Sequence, residues 1–405
     1  MLGPLRVPLR STLSERVPAQ RAGRPCDHCI LVTVSAPRSH HIQLEYRLAT
    51  QSGSGLHNPL IALLAAVRDA GSVRGAADQL GFSYRHVWGE LRRWETALGQ
   101  PLVGWEKGRR ARLTEMGEKL LFAERLAQAR LAPQIAALQA DIERAFALAL
   151  DENAHVLTLH ASHDDALPLL REHAAAQGLH LDVRFSGSVD ALHALNTGRC
   201  SLAGFHVLED AEAGSLTSRT YRPLLKPGVH KLIGFARRTQ GLMVAPGNLL
   251  ALGSLTHLAT RGLRFVNRAE GTGTRVIVDE LLQRQGLAAA DLPGYLRTEP
   301  SHAAVAQAVA SGSADAGIGL ESAARACGLG FVPLVHERYY LVVLKSALDL
   351  PGARALRSVL ARADWAERLA ALPGYQAEQA GQVLTMTRCL PWWRFRQQKS
   401  RKISR

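Results

Sequence analysis

Residues 71–99 read GSVRGAADQLGFSYRHVWGELRRWETALG, and the punctuation of this stretch decides the fold of the first third of the chain. Gly71 ends what precedes it, and Ser72 carries the side chain of a helix N-cap. A short helix follows, with small residues Ala76 and Ala77 and apolar Leu80, closed by Gly81. Ser83 caps the next helix, in which Val87, Leu91, Trp94 and Leu98 recur at intervals of four, three and four until Gly99. Two short helices joined by a Gly-containing turn make a helix-turn-helix: alanine lets the axes approach and glycine permits the turn. Upstream, Asn58 as cap and Pro59 as first residue open a further helix striped by Leu60, Leu63, Leu64 and Val67.

With one stripe of the Ser83-capped helix committed to the core, Ser83, Tyr84, Arg85, His86, Gly89, Arg92 and Arg93 face outward. Residues at the start of such a helix can reach base edges in a major groove, and Arg85 is the candidate for guanine. Arg92 and Arg93 are better placed for phosphates, and Ser72 joins the same interface. Pro101–Trp105 and Ala111–Leu113 read as two short strands. Between them Glu106-Lys107-Gly108-Arg109-Arg110 forms a basic hairpin that would set Lys107, Arg109 and Arg110 against the sugar-phosphate backbone. The winged helix-turn-helix thus occupies 56–113.

These residues resemble the DNA-binding domain of ModE-type molybdate-responsive regulators, with LysR-type regulators as more distant relatives. The resemblance rests on Gly71-Ser72, Ala76-Ala77, Leu80-Gly81, Ser83-Tyr84, Trp88 five positions after the serine, and Leu113-Thr114 followed by Gly117. It implies a double-stranded DNA operator as partner. The short, Arg-rich wing departs from the Gly-rich wing common in that family.

Charge is distributed accordingly. The chain of 405 residues carries a formal net charge of +14. Residues 151–385 balance 22 basic against 22 acidic side chains, so the excess lies in the N-terminal third and in a final twenty residues with seven basics and no acid. That pattern suits a polyanion-binding module attached to a neutral domain with a different task. An apolar content of 47% with 21% charged residues excludes a mostly disordered chain, and no apolar run approaches a bilayer's width, so no membrane partner is expected. Five cysteines without a paired framework fit a reducing, cytoplasmic setting. Cys26-x-x-Cys29, with His40 and His41 nearby, lacks the spacing of a four-ligand zinc site, so no metal and no cofactor are expected.

Residues 1–55 have no sustained period and read as a poorly ordered extension. Residues 114–150 are helix formers capped by Thr114, with Leu131, Ile135, Leu138, Ile142 and Phe146 as a narrow seam. Such a helix pairs with its copy in a homodimer, and Pro133 is expected to kink or split it.

From 151 to 385 the texture is α/β. Val156–His160, Leu181–Phe185 and Leu263–Val266 read as strands, each leading toward a helix, which predicts a mostly parallel sheet. The junctions share one chemistry: Ser162-His163-Asp164, Ser186-Gly187-Ser188, Gly271-Thr272-Gly273-Thr274-Arg275 and Ser301-His302. Each offers free backbone N–H groups at a helix start, most with a hydroxyl, which suits a small anionic ligand. Phosphate-loop and dinucleotide fingerprints are missing, which disfavours nucleotides.

This part resembles the periplasmic-binding-protein-like domains of the molybdate- and LysR-associated group. Phe185–Ser188, Ala203–His206, Asn267–Arg275, Ser301–Val305, Ala314–Gly319 and Glu337–Tyr340 carry the likeness. It implies two α/β lobes that close on a small-molecule effector, a small oxyanion or another small solute; with the anion-friendly helix starts, molybdate or tungstate is the first candidate. The helix starts and the resemblance together give the candidate ligand set Ser162, His163, Gly187, Ser188, His206, Asn267, Gly271, Thr272, Gly273, Thr274, Arg275, Ser301, His302 and Tyr339, with the lobes expected to exchange near 235–245 and 330–340. No G-x-S-x-G or H-E-x-x-H occurs, and Ser162, His163 and Asp164 are neighbours on one loop, a poor arrangement for a catalytic triad; an enzyme is not expected. A cytoplasmic solute-binding protein or an enzyme of the same fold is the alternative. Residues 386–405, with Trp392, Trp393 and Phe395 among the basics, read as a basic tail.

Overall fold

The computed structural model describes residues 59–104, 110–150 and 155–393. The Cys26–Cys29 motif, Asn58, Lys107, Arg109, Phe395 and the rest of the tail beyond Trp393 lie outside the described residues. Three helices come first: α1 (Pro59–Ala70), α2 (Val73–Leu80) and α3 (Tyr84–Leu98). Their caps act as the sequence anticipates. Ser72 Oγ accepts from Gly75 N at 2.9 Å and Ser83 Oγ from His86 N at 3.2 Å. Gly81 (φ 69°) and Gly99 (φ 66°) end α2 and α3 in the left-handed region that other residues avoid. Leu60, Leu64, Val67, Ala76, Ala77, Val87 and Leu91 are buried where the three helices pack together.

A two-residue ladder follows, β1 (Val103–Gly104) antiparallel to β2 (Arg112–Leu113). Glu95 of α3 fixes its position: Oε1 accepts from Leu102 N at 2.9 Å and from Val103 N at 3.2 Å. Glu95 thus ties α3 directly to the base of the β1–β2 ladder.

Helix α4 (Glu115–Leu150) runs for 36 residues. The Thr114 hydroxyl accepts from Gly117 N at 3.2 Å at its start. Of the kink or split expected at Pro133, the split does not occur: the helix runs through it. Proline has no N–H for the carbonyl four residues back, Ala129 O, and that carbonyl accepts from Ser301 Oγ at 2.9 Å instead. Along the seam Leu131, Ile135 and Ile142 are half-buried, while Leu138 is 55% exposed.

The α/β part alternates β3 (His155–Ala161), α5 (Ala166–Ala175), β4 (Leu179–Phe185), α6 (Ser188–Asn196), β5 (Leu202–Leu208) and α7 (Leu216–Tyr221). The long strand β6 (His230–Val244) leads to α8 (Leu255–Thr260), β7 (Phe265–Arg268), α9 (Gly273–Arg284), β8 (Thr298–Glu299), α10 (His302–Ala310), β9 (Ala316–Leu320) and α11 (Glu321–Ala326). A second long strand, β10 (Gly330–Leu344), returns, followed by α12 (Pro351–Leu360) and α13 (Ala363–Ala370).

The strands form one curled sheet in the order β4-β3-β5-β10-β6-β9-β7-β8. β3 runs parallel to β4 and β5, and β7 runs parallel to β8 and β9. β6 and β10 are antiparallel to each other and to their outer neighbours β9 and β5. The sheet is thus mixed rather than mostly parallel. The two parallel lobes are joined by a pair of 15-residue strands, each about 50 Å of extended chain, which serve both.

Side-chain alternation on these strands positions the site. Phe235 and Ala236 of β6, at a bulge opposite Tyr339 and Tyr340, belong to the apolar core of the first lobe, and Met243 belongs to that of the second. Between them β6 carries Arg238 and Gln240, both buried. A polar island therefore separates two apolar cores at the crossing of the lobes. The basic tail begins later than expected: Met386, Leu390 and Trp392 are buried in the sheet's other apolar core because their apolar surface has that face to cover.

Candidate functional site

Each lobe contributes to the polar island from the ends of its strands. From the first lobe come Ser162 and His163 after β3, Gly187 and Ser188 at the start of α6, and His206 on β5. The Ser162 and Ser188 hydroxyls lie 3.4 Å apart. His206 pairs in register with Tyr339 of β10, with ring centroids 4.0 Å apart. From the second lobe come Asn267 and Arg268 at the end of β7, the Gly271–Thr274 loop and His302 at the start of α10. The lobes meet backbone to backbone: a Cβ on Gly187 would sit 2.5 Å from the Gly271 carbonyl oxygen, and one on Gly273 would sit 2.9 Å from the His206 ring. Only glycine fits at these two positions.

The crossing strands supply a buried charged relay. Arg238 bonds both Asp164 and Glu337. Gln240 donates to Glu337 at 2.8 Å and to Thr274 Oγ1 at 2.9 Å, and the Tyr375 hydroxyl donates to Asp164 at 2.9 Å. Burial works against the Arg238 charge, but Glu337 and Asp164 outweigh it and hold the guanidinium above the ordinary arginine range.

Arg268 is a different case. It is 1% exposed, its Nη1 donates to the Glu299 carbonyl at 3.1 Å, and its Nε has no protein partner. No carboxylate forms an ion pair with it among the described residues. Burial first and the Arg238 charge second push it down to about 9. Around it stand three histidines held neutral. His163 is pushed down to about 4 by burial and by Arg268, with Asp164 opposing. Burial, then the charges of Arg238 and Arg268, lower His206; burial, then Arg268 and Arg238, lower His302. Both ring nitrogens of His206, Nδ1 of His163 and of His302, the Ser186 hydroxyl and the Tyr339 hydroxyl also lack protein partners. Buried polar atoms are seldom left so, and the three histidines among them all feel the charge of Arg268.

On the helix-turn-helix, Tyr84, Arg85, His86, Arg92 and Arg93 are all exposed, as are Ser83 and Gly89. Tyr84 stacks on Trp88 with centroids 6.2 Å apart, and Arg92 lies 4.6 Å over the Trp88 ring. Arg92 pairs with Glu95 at 3.1 Å and Arg93 with Glu90 at 2.5 Å. Arg85 makes no ion pair or hydrogen bond among the described residues.

Comparison with known proteins agrees with both halves. Residues 60–118 match the bacterial regulatory helix-turn-helix protein, lysR family, and residues 170–361 match the PBP superfamily domain. The chain joins a LysR-type helix-turn-helix to a PBP-superfamily domain. It is 34% identical over 204 residues to the uncharacterized protein YvgK of Bacillus subtilis (strain 168), a match covering 50% of this chain and 65% of YvgK, slightly under two thirds of that relative. It is 28% identical over 199 residues to the molybdenum-pterin-binding protein MopB of Rhodobacter capsulatus, covering 48% of this chain and 72% of MopB. The solved structure of CbnR, a LysR family transcriptional regulator, is 17% identical, with 74% of this chain and 98% of CbnR covered at a TM-score of 0.36.

Within the PBP-superfamily domain most of the residues singled out from the sequence come together: Ser162, His163, Gly187, Ser188, His206, Asn267, Gly271, Gly273, Thr274, His302 and Tyr339. Three are otherwise engaged. Thr272 caps α9, accepting from Arg275 N at 3.3 Å and donating to Ala269 O at 2.7 Å. Ser301 accepts from Ala304 N at 3.1 Å while donating to α4. Arg275 is held as well: one helical turn brings its Nε to Asp279 at 3.2 Å, and its guanidinium lies 4.1 Å over the Tyr295 ring. Arg268, outside the expected set, has no carboxylate ion pair among the described residues and an unpartnered Nε. Arg238, Gln240 and Glu337 were also missed, although charge inside the apolar run of β6 was a visible signal.

A cavity of about 1150 Å³ borders the cluster, with His163 in its wall. Arg68, Arg125 and Arg171 line it, with Asp69 as the one carboxylate in the lining, and Asp69 pairs with Arg68 at 3.0 Å.

The neutral histidines have a measurable consequence. The His163 pKa is lower in the folded chain than the ordinary 6.5, so between about pH 6.5 and 4 the unfolded chain binds more protons. Its contribution to stability is complete above that window and is lost as pH falls through it. Compared with His163→Asn, the wild type is expected to lose on the order of 3 kcal/mol more between pH 6.5 and 4 in denaturant titrations. Parallel pH profiles for the two proteins would remove the claim.

Proposed function

We propose that this chain is a one-component transcription regulator whose grip on DNA is set by a small oxyanion held between its two lobes. Residues 56–113 read an operator, with Ser83, Tyr84, Arg85 and His86 at the bases and Arg92, Arg93, Lys107, Arg109 and Arg110 along the backbone. The exposed seam residue Leu138 is available for α4 to pair with a second copy, which would present two reading helices to a palindromic site. The effector lies against Arg268, His163, His206, His302, Ser162 and Ser188 and alters lobe closure. Its influence on DNA equals its difference in affinity for the two lobe arrangements.

The buried Arg268 guanidinium, with no carboxylate partner and surrounded by unpartnered histidine and hydroxyl groups, carries this reading. A compact anion would supply the missing charge and acceptors together. The arginines of the adjoining cavity raise the local anion concentration on the approach. Molybdate and tungstate are the first candidates, in keeping with the molybdenum in the name of the MopB relative.

The test is selection of duplexes by the full chain from a random library, followed by anisotropy titrations with and without molybdate, tungstate or sulfate. A selected duplex should outcompete heparin of matched charge, and one oxyanion should change its affinity at least fivefold. Retention on heparin equal to that on every duplex would end the DNA assignment. An affinity indifferent to all three anions would end the oxyanion assignment.

A further inference from the structure

Helix α4 is fastened to both lobes at separate points along its length. Toward the second lobe, Arg130 grips Glu299 with two bonds, Nε to Oε2 at 2.8 Å and Nη2 to Oε1 at 2.6 Å, and the Glu299 carboxylate is 1% exposed. One residue earlier, the Ala129 carbonyl accepts from Ser301 Oγ. Toward the first lobe, Arg184 reaches Asp141 at 2.7 Å, Arg144 lies 3.5 Å from Asp182, and Arg171 donates to the Ala136 carbonyl at 3.1 Å. The two sets of attachments, at 129–130 and 136–144, lie about 9 to 22 Å apart on a continuous helix. If the lobes turn against each other, α4 cannot keep both.

The attachment to the second lobe is also wired to the anion cluster. Glu299 offers its carboxylate to Arg130 and its carbonyl to Arg268. Ser301 precedes His302 and caps α10 while donating to α4. Pro133 leaves this carbonyl without a donor from its own helix. A residue with an N–H there would bond the Ala129 carbonyl from within the helix and compete with Ser301 for it.

We infer that Pro133, Ser301 and the Arg130–Glu299 pair form the joint through which the state of the interlobe site moves α4, and with α4 the helix-turn-helix. This rests on the regulatory reading above and assigns its route. Arg130, Glu299 and Pro133 are positioning residues: they touch neither the proposed anion nor the operator.

Pro133→Ala and Arg130→Gln in the full chain test the joint. Pro133→Ala removes a poor helix residue, so loss of folding does not confound it. Two readouts are compared. Without any ligand, hydrogen exchange at Ala304 and Val305 of α10 should accelerate about fivefold or more in both variants as Ser301 or Glu299 loses its hold on α4. With molybdate, its dissociation constant should stay within about threefold of wild type, while the change it causes in operator affinity falls toward none. By reciprocity, operator should cease to alter molybdate affinity as well. Wild-type exchange at α10, or a wild-type molybdate effect on operator affinity, in both variants would overturn the joint. If the wild type itself ignores molybdate, the oxyanion reading fails, and the exchange result alone decides the joint.

Discussion

Arg268→Met is expected to melt at a higher temperature than the wild type and to bind oxyanion about a hundredfold more weakly. The two effects have one cause. An arginine 1% exposed, with an unpartnered Nε and no carboxylate ion pair among the described residues, costs the ligand-free fold desolvation energy that the Asp165 charge and the Glu299 carbonyl repay only in part, since its pKa stays lowered to about 9. Methionine of similar length fills the space without a charge, and relief of about 1–2 kcal/mol is expected. The bond to the Glu299 carbonyl is lost, which offsets part of the gain. For the anion the same change removes the cation of the cluster that lacks a carboxylate ion pair and a charge-assisted bond, a loss of about 3 kcal/mol or a hundredfold in affinity. Calorimetry with molybdate, tungstate and sulfate, beside thermal melts of the ligand-free variant, checks both halves. A variant that melts lower and binds as well as wild type would make Arg268 a structural residue, and the site would have to be sought elsewhere. Stability gained as binding is lost is the mark of a residue kept for function.

How much of this was legible in the sequence follows from how local each signal is. Ser72, Gly81, Ser83 and Gly99 act on backbone groups within four residues of themselves, so the helix-turn-helix could be read directly and its caps are where they were expected. The hydroxyl- and glycine-rich helix starts were visible for the same reason, and most of them converge. Arg275 and Arg268 show the limit. Both lie within one short stretch; Asp279 four residues after Arg275 was a local signal of their pairing on α9, but nothing local says that Arg268 enters the core. That placement depends on β8 pairing with β7, which brings Glu299 opposite Arg268. The mixed sheet escaped for a related reason: β6 and β10 pair across about a hundred residues, and their parallel neighbours dominate the local pattern. Pro133 is the sharpest instance. The helix runs on through it, and the carbonyl it leaves without an intrahelical donor is met by a hydroxyl 168 residues away, which no local pattern announces.

Arg85→Ala is expected to weaken binding to the selected operator by ten- to a hundredfold and to leave the melting temperature unchanged. Of the three arginines on the exposed face of α3, Arg92 is held by Glu95 and the Trp88 ring, and Arg93 by Glu90. Each must yield part of an existing interaction to meet DNA, and each sits beyond the first turn, where a helix in the major groove faces phosphates. Arg85 is in that first turn, beside the exposed Tyr84, with no ion pair or hydrogen bond among the described residues to give up. A bidentate contact from arginine to guanine contributes about 1–3 kcal/mol of discrimination, which sets the expected loss. The phosphate arginines should behave differently. Arg92→Ala would weaken all duplexes alike and reduce the slope of log affinity against log salt by about one, whereas Arg85→Ala would mainly flatten the preference for one base at one position. Binding-site selection repeated with each variant separates the two patterns. If both variants lose affinity evenly across sequences, α3 is a backbone grip, and sequence reading must come from another element.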